Sequence, residues 1–89
     1  MATIRFTANL SKHRDTPVIT AAGTNVRAVI DEGLAADPLL KSYVLDEQGR
    51  LRKHVNIFVD GQMIADRAGL SDPVDPEAEL YVMQALSGG

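Results

Sequence analysis

The sequence predicts an α+β roll in which a mixed sheet of four or five strands carries one main helix on one face. Three observations point there: a period-two apolar pattern near the start, an amphipathic helical stretch after it, and β-prone runs toward the end. The 89 residues suffice for one domain. A domain this small buries roughly 60–65% of the surface its unfolded chain exposes, so its core is thin. Aromatic residues make up only 4% of the chain and Trp is absent, so aliphatic side chains must fill that core.

Residues 3–7 alternate, with Ile4 and Phe6 on one face and Thr3, Arg5 and Thr7 on the other, as in a half-buried strand. Residues 8–16 are polar and read as a loop. Residues 18–21 form a second short β-prone run, with Pro17 tolerated at its start because the first strand residue need not donate to the ladder. Val26, Val29, Ile30 and Leu34 then share one helical face. Thr24 or Asn25 can cap that helix, and Pro38 ends it by Ala36 or Asp37. Gly33 weakens it by about 1 kcal/mol relative to Ala, so packing must hold it.

Residues 38–51 read as irregular, with Leu39, Leu40, Tyr43 and Leu45 as core anchors and a turn over Asp46–Gly49. Residues 55–60 give the strongest strand signal, Asp60-Gly61 is a tight-turn pair, and residues 62–64 can return as a short strand. Residues 66–76 read as loop. Residues 79–85 form a last strand that is apolar on both faces, as a central strand is. This order is the β-grasp (ubiquitin-like) layout, in which the last strand lies beside the first and the chain leaves the sheet as a tail. The expected division is a β-grasp body over residues 1–85 and a flexible diglycine tail over residues 86–89.

Composition excludes several functions. Without Cys there are no disulfides, no thiolate nucleophile and no Cys-based zinc site. His13 and His54 are the only histidines, and no metal or cofactor is expected. No phosphate-binding loop, dinucleotide fingerprint or nucleophile elbow occurs, so the chain is expected not to be an enzyme. A net charge of −3 gives nucleic acid no electrostatic support. No apolar run approaches the ~18 residues of a membrane span, and no apolar leader opens the sequence, so a cytoplasmic protein is expected. Charge is uneven: residues 1–54 hold eight Lys/Arg and six Asp/Glu, whereas residues 55–89 hold Arg67 alone against six acids. Arg50, Arg52, Lys53 and His54 form a short basic run, read chiefly as solvated surface.

The chemistry is expected at the end of the chain, Ala85-Leu-Ser-Gly-Gly89. Five extended residues reach ~16–18 Å, enough to carry a terminal carboxylate from a docked body into a partner's tunnel. Gly88 and Gly89 lack Cβ atoms and can thread a narrow channel. A carboxylate is a poor electrophile because sulfide cannot expel oxide; adenylation turns it into a mixed anhydride with AMP as leaving group. Sulfur attack then yields a thiocarboxylate on Gly89. A passive glycine end on a plain binding module is the bland alternative.

Residues 51–61 (LRKHVNIFVDG) and 79–89 (ELYVMQALSGG), with the helix from Thr24, resemble the ThiS/MoaD-type sulfur-carrier family, which includes the small subunit of molybdopterin synthase and the cysteine-synthesis carriers. The resemblance implies activation by an E1-like, ubiquitin-activating-type adenylyltransferase. It also implies sulfur from a persulfide donor and delivery to an acceptor biosynthetic enzyme. Some such carriers are trimmed to the diglycine by a metalloprotease. Gln84 and Ala85 stand where molybdopterin-type carriers often have two prolines, which leans the reading toward amino-acid or other sulfur metabolism. The alternative is a ubiquitin-like modifier whose tail forms isopeptides with lysines. For partner docking, Phe58, Tyr81 and Met83 are expected on the open sheet face, with Leu86 beyond them, unless a loop covers that face.

Overall fold

The computed structural model describes residues 1–6 and 18–84. Five strands and two helices follow in the order β1 (Ala2–Phe6), β2 (Ile19–Ala21), α1 (Val26–Gly33), α2 (Pro38–Val44), β3 (Val55–Val59), β4 (Gln62–Met63) and β5 (Glu79–Gln84). The sheet order is β2-β1-β5-β3-β4, so the last strand lies at the centre. β1 and β5 run parallel, with Ile4 opposite Leu80 and Phe6 opposite Val82. The other pairs are antiparallel. Ala2, Ile4, Ile57, Leu80 and Val82 pack beneath Val26, Val29, Ile30 and Leu34 in one aliphatic core.

The N-terminus of α1 shows how the chain meets its backbone obligations. The first N–H groups of a helix lack intrahelical partners. Here Val26 N donates to Asp72 O and Arg27 N to Leu70 O, while Ala28 N donates to Asn25 Oδ1 at 2.8 Å. Asn25 is therefore the cap, and the long loop before β5 supplies the remaining acceptors. At the other end, a Cβ on Gly33 would come within 2.6 Å of Ile4 Cδ1. The glycine that weakens the helix is the one that lets it approach the sheet.

The stretch expected to be irregular contains α2, so one main helix becomes two. α1 ends at Gly33 with Leu34 as its C-cap, short of the end expected at Ala36 or Asp37. Pro38 therefore does not stop it but starts α2: it occupies the first helical turn, and Asp37 accepts from Leu40 N at 3.1 Å as N-cap. Proline suits that position because its missing N–H would be orphaned anyway. Leu40, Val44 and Leu45 are buried and Tyr43 packs at the margin of the core. Leu39 is corrected: it is 55% exposed, because a helix turns it away from the core that Leu40 and Val44 face. Asp60 and Gly61 have φ of 49° and 87°, the paired positive values of a two-residue hairpin turn, and join β3 to β4.

Two carboxylates organise the loop that caps α1. Asp66 accepts from the Ser71 hydroxyl at 2.6 Å and from Gly69 N at 2.8 Å. Asp72 accepts from Ala65 N at 2.9 Å and Asp66 N at 2.8 Å. These bonds favour the ionised forms and hold both groups below the ordinary carboxylate value of 3.8, chiefly through the Ser71 hydroxyl for Asp66 and the Ala65 N–H for Asp72. A pKa lowered in the folded state gives stability that is fully present above 3.8 and lost as pH falls through the lowered values. The urea midpoint is therefore expected to hold level from neutral pH to about pH 5 and to drop below about pH 4, more gently in Asp72→Asn. A midpoint unchanged down to about pH 2 would remove this role for the two groups.

Candidate functional site

Side chains directly opposite one another in a sheet share a face. Since Ile4, Ile57, Leu80 and Val82 face the helices, their neighbours face away. Arg5 stands opposite Tyr81, Tyr81 opposite Phe58, and Phe58 opposite Met63, so one row crosses four strands. Met83 stands one step along, opposite Asn56. Phe58 is half-buried, while Tyr81, Met83 and Met63 are 39%, 40% and 53% exposed. Four large apolar side chains thus adjoin on the face opposite the helices, and three of them are exposed.

The expected docking residues Phe58, Tyr81 and Met83 therefore lie together; Leu86, Gly88 and Gly89 lie outside the described residues. Met63 belongs to the same row and was missed. The signal was available: a two-residue turn at Asp60-Gly61 fixes Val59 opposite Gln62 and hence Phe58 opposite Met63. One edge of the patch is polar, where Arg5 Nε donates to Glu79 Oε1 at 3.1 Å and the Tyr81 hydroxyl donates to the same oxygen at 3.4 Å.

The tail-proximal end is built around Arg67, whose role sequence reasoning also missed. Its Nη2 donates to Arg52 O at 2.7 Å, Val55 O at 2.9 Å and Lys53 O at 3.3 Å. Its Nη1 donates to Asn56 Oδ1 at 2.9 Å. One planar guanidinium, with its several fixed donors, thereby fastens the turn leading into β3. Val55, at the end of that turn, stands opposite Gln84, the last residue of β5. The clamp thus adjoins the point from which residues 85–89 continue.

Other features of the molecule offer less. A cleft of about 360 Å³ between α1, α2 and the Asp46–Gly49 turn is lined by Arg27, Lys41 and Arg52 but also by Asp31, Asp46 and Glu47, so no single charge is favoured. Among the described residues no group of three His, Cys, Asp or Glu side chains could hold a metal ion, and His54 is exposed. No helix among them is long and apolar enough to cross a membrane.

A five-stranded mixed sheet with its first and last strands parallel at the centre and helices over one face is the ubiquitin-like β-grasp fold. The neighbours in structure include small archaeal modifier proteins and proteins named CysO. No protein-family model matches this chain, and no curated protein matches it in sequence. Small archaeal modifier protein 1 of Haloferax volcanii is similar at 25% identity and a TM-score of 0.75, over 99% of this chain and 98% of that one. The same-named protein of Methanosarcina acetivorans is similar at 26% identity and a TM-score of 0.78, over 99% and 95%. A chain of the BexX/CysO complex of Amycolatopsis orientalis shares the fold at 22% identity and a TM-score of 0.82, with both chains covered completely.

Proposed function

We propose that this protein is a sulfur carrier whose working group is the Gly89 carboxylate. The observation that supports it most is the pairing of a β-grasp body with a Gly-Gly end: β5 runs out of the sheet centre toward a five-residue segment closing on Gly88 and Gly89. In the proposed chemistry, a Gly89 carboxylate oxygen attacks the α-phosphorus of ATP and expels pyrophosphate. The terminal sulfur of a persulfide then attacks the acyl carbon and displaces AMP. A thiol finally reduces the resulting acyl disulfide and frees the thiocarboxylate. The body contributes no reacting group. It presents Phe58, Tyr81, Met83 and Met63 to the adenylyltransferase, and Leu86 follows them toward the channel. A biosynthetic enzyme would accept the sulfur, and a metalloprotease would act if the carrier is made with residues after Gly89. That CysO occurs in a complex with BexX supports a partner-dependent role.

The experiment is intact-mass measurement of the protein isolated from its native cells. Replacing one oxygen by sulfur adds about 16 Da, the mass difference expected of a Gly89 thiocarboxylate. The similarity to two archaeal modifier proteins favours a second reading, isopeptide attachment to lysines. Branched Gly-Gly-lysine peptides with no mass gain on the free chain would replace the carrier reading by that one.

A further inference from the structure

The turns at the two ends of the sheet carry opposite charge. Beside the end of β5, Lys53 is exposed and Arg67 is fixed among carbonyl oxygens and the Asn56 amide. At the other end lie the Asp60 turn and the approach to β5, where Asp60, Asp75 and Glu77 are exposed. Among the described residues the ion pairs are Arg5–Glu79, Lys41–Asp31 and Arg50–Asp46, and none of these end groups takes part in one. Six residues of extended chain separate His54 from Asp60, roughly 20 Å at ~3.3 Å per residue. That exceeds the ~8 Å screening length of physiological salt, so each end meets its own counterpart without cancelling the other. Between them lies the apolar row.

We propose that this gradient sets the orientation in which the face docks. It fits a protein surface with an acidic rim beside the opening that takes the tail, an apolar patch next to it, and basic side chains about 20 Å farther on. The inference rests on the carrier reading, in which the partner is an adenylyltransferase. A uniformly apolar face would fix the contact but not its direction. A polarised one brings the end of β5, and with it residues 85–89, over the opening at first encounter.

The test uses the full chain and the purified ubiquitin-activating-type adenylyltransferase of the same genome, with ATP–pyrophosphate exchange as readout. Lys53→Glu is expected to raise KM roughly fivefold to tenfold at about 50 mM salt with kcat unchanged, and less than about twofold at 0.5 M. Glu77→Lys, at the opposite end and with the opposite change of charge, is expected to raise KM as well. The double variant Ala35→Glu/Ala36→Glu changes net charge as Lys53→Glu does, but beyond α1 on the helix side, and is expected to leave KM unaltered. A lowered KM in Glu77→Lys, or equal effects of the helix-side variant and Lys53→Glu, would leave only general charge attraction and overturn the orientation. Exchange by the wild-type chain with no response to Lys53→Glu overturns it alone. No exchange by the wild-type chain removes the carrier reading, and the orientation with it.

Discussion

A chain shortened by Gly89 alone is expected to fold as the parent does and to lose activation altogether. It still ends in a glycine carboxylate, but that group stands one residue, about 3.5 Å, short of its place. Misplacing a reacting group by about 1 Å can cost on the order of 10²-fold in rate, so a displacement several times larger leaves no measurable turnover. Every described strand, helix and core residue lies at or before Gln84, so the deletion removes none of them. Pyrophosphate exchange and the gain of about 16 Da should vanish together while circular dichroism and the urea midpoint stay put. Sulfur loading of the shortened chain would end the claim that reach of the tail decides the chemistry.

Phe58→Asp is expected to spare the fold and to weaken activation by about 10- to 100-fold in kcat/KM. Phe58 is central in the row, flanked by Tyr81 and Met63, and points away from the core built by Ile57, Leu80 and Val82. Burying a Phe side chain in a contact contributes about 1.5–3 kcal/mol, and a carboxylate in its place adds a desolvation cost. Placing a poor strand former in β3 costs up to about 1 kcal/mol of stability, which a urea titration would register separately. Unlike the response of Lys53→Glu, this loss should persist at high salt. Unchanged kinetics in Phe58→Asp would take the sheet face out of the docking account.

Most of the architecture was legible because its signals are local. The alternation around Ile4, the helical spacing of Val26, Val29, Ile30 and Leu34, the Asp60-Gly61 pair and the two-sided strand at Leu80–Met83 each name an element, and the order of elements names the sheet. α2 was not legible because Pro38 carries two meanings, a stop for the preceding helix and a favoured first residue for the next. Only the capping bond of Asp37 separates them. Three of the four apolar residues on the open face were readable from alternation; Met63 needed the register that the turn imposes. The clamp by Arg67 had no sequence signal, because three of its four acceptors are backbone carbonyls, which every residue possesses. The Gly33 contact with Ile4 was visible only as a weak point in a helix, since close approach is a property of two elements and not of one.

The central place of β5 bears on when the molecule takes shape. Arg5 and Glu79 meet across 74 positions of chain, and β1 and β3 have no common neighbour until β5 enters between them. Contacts so distant in sequence make for slow folding, on the scale of milliseconds to seconds. During synthesis the sheet cannot close until β5 has been made and has entered between its two neighbours. A product truncated before Glu79 would lack the strand that joins β1 to β3, and with it Tyr81 and Met83 of the apolar face.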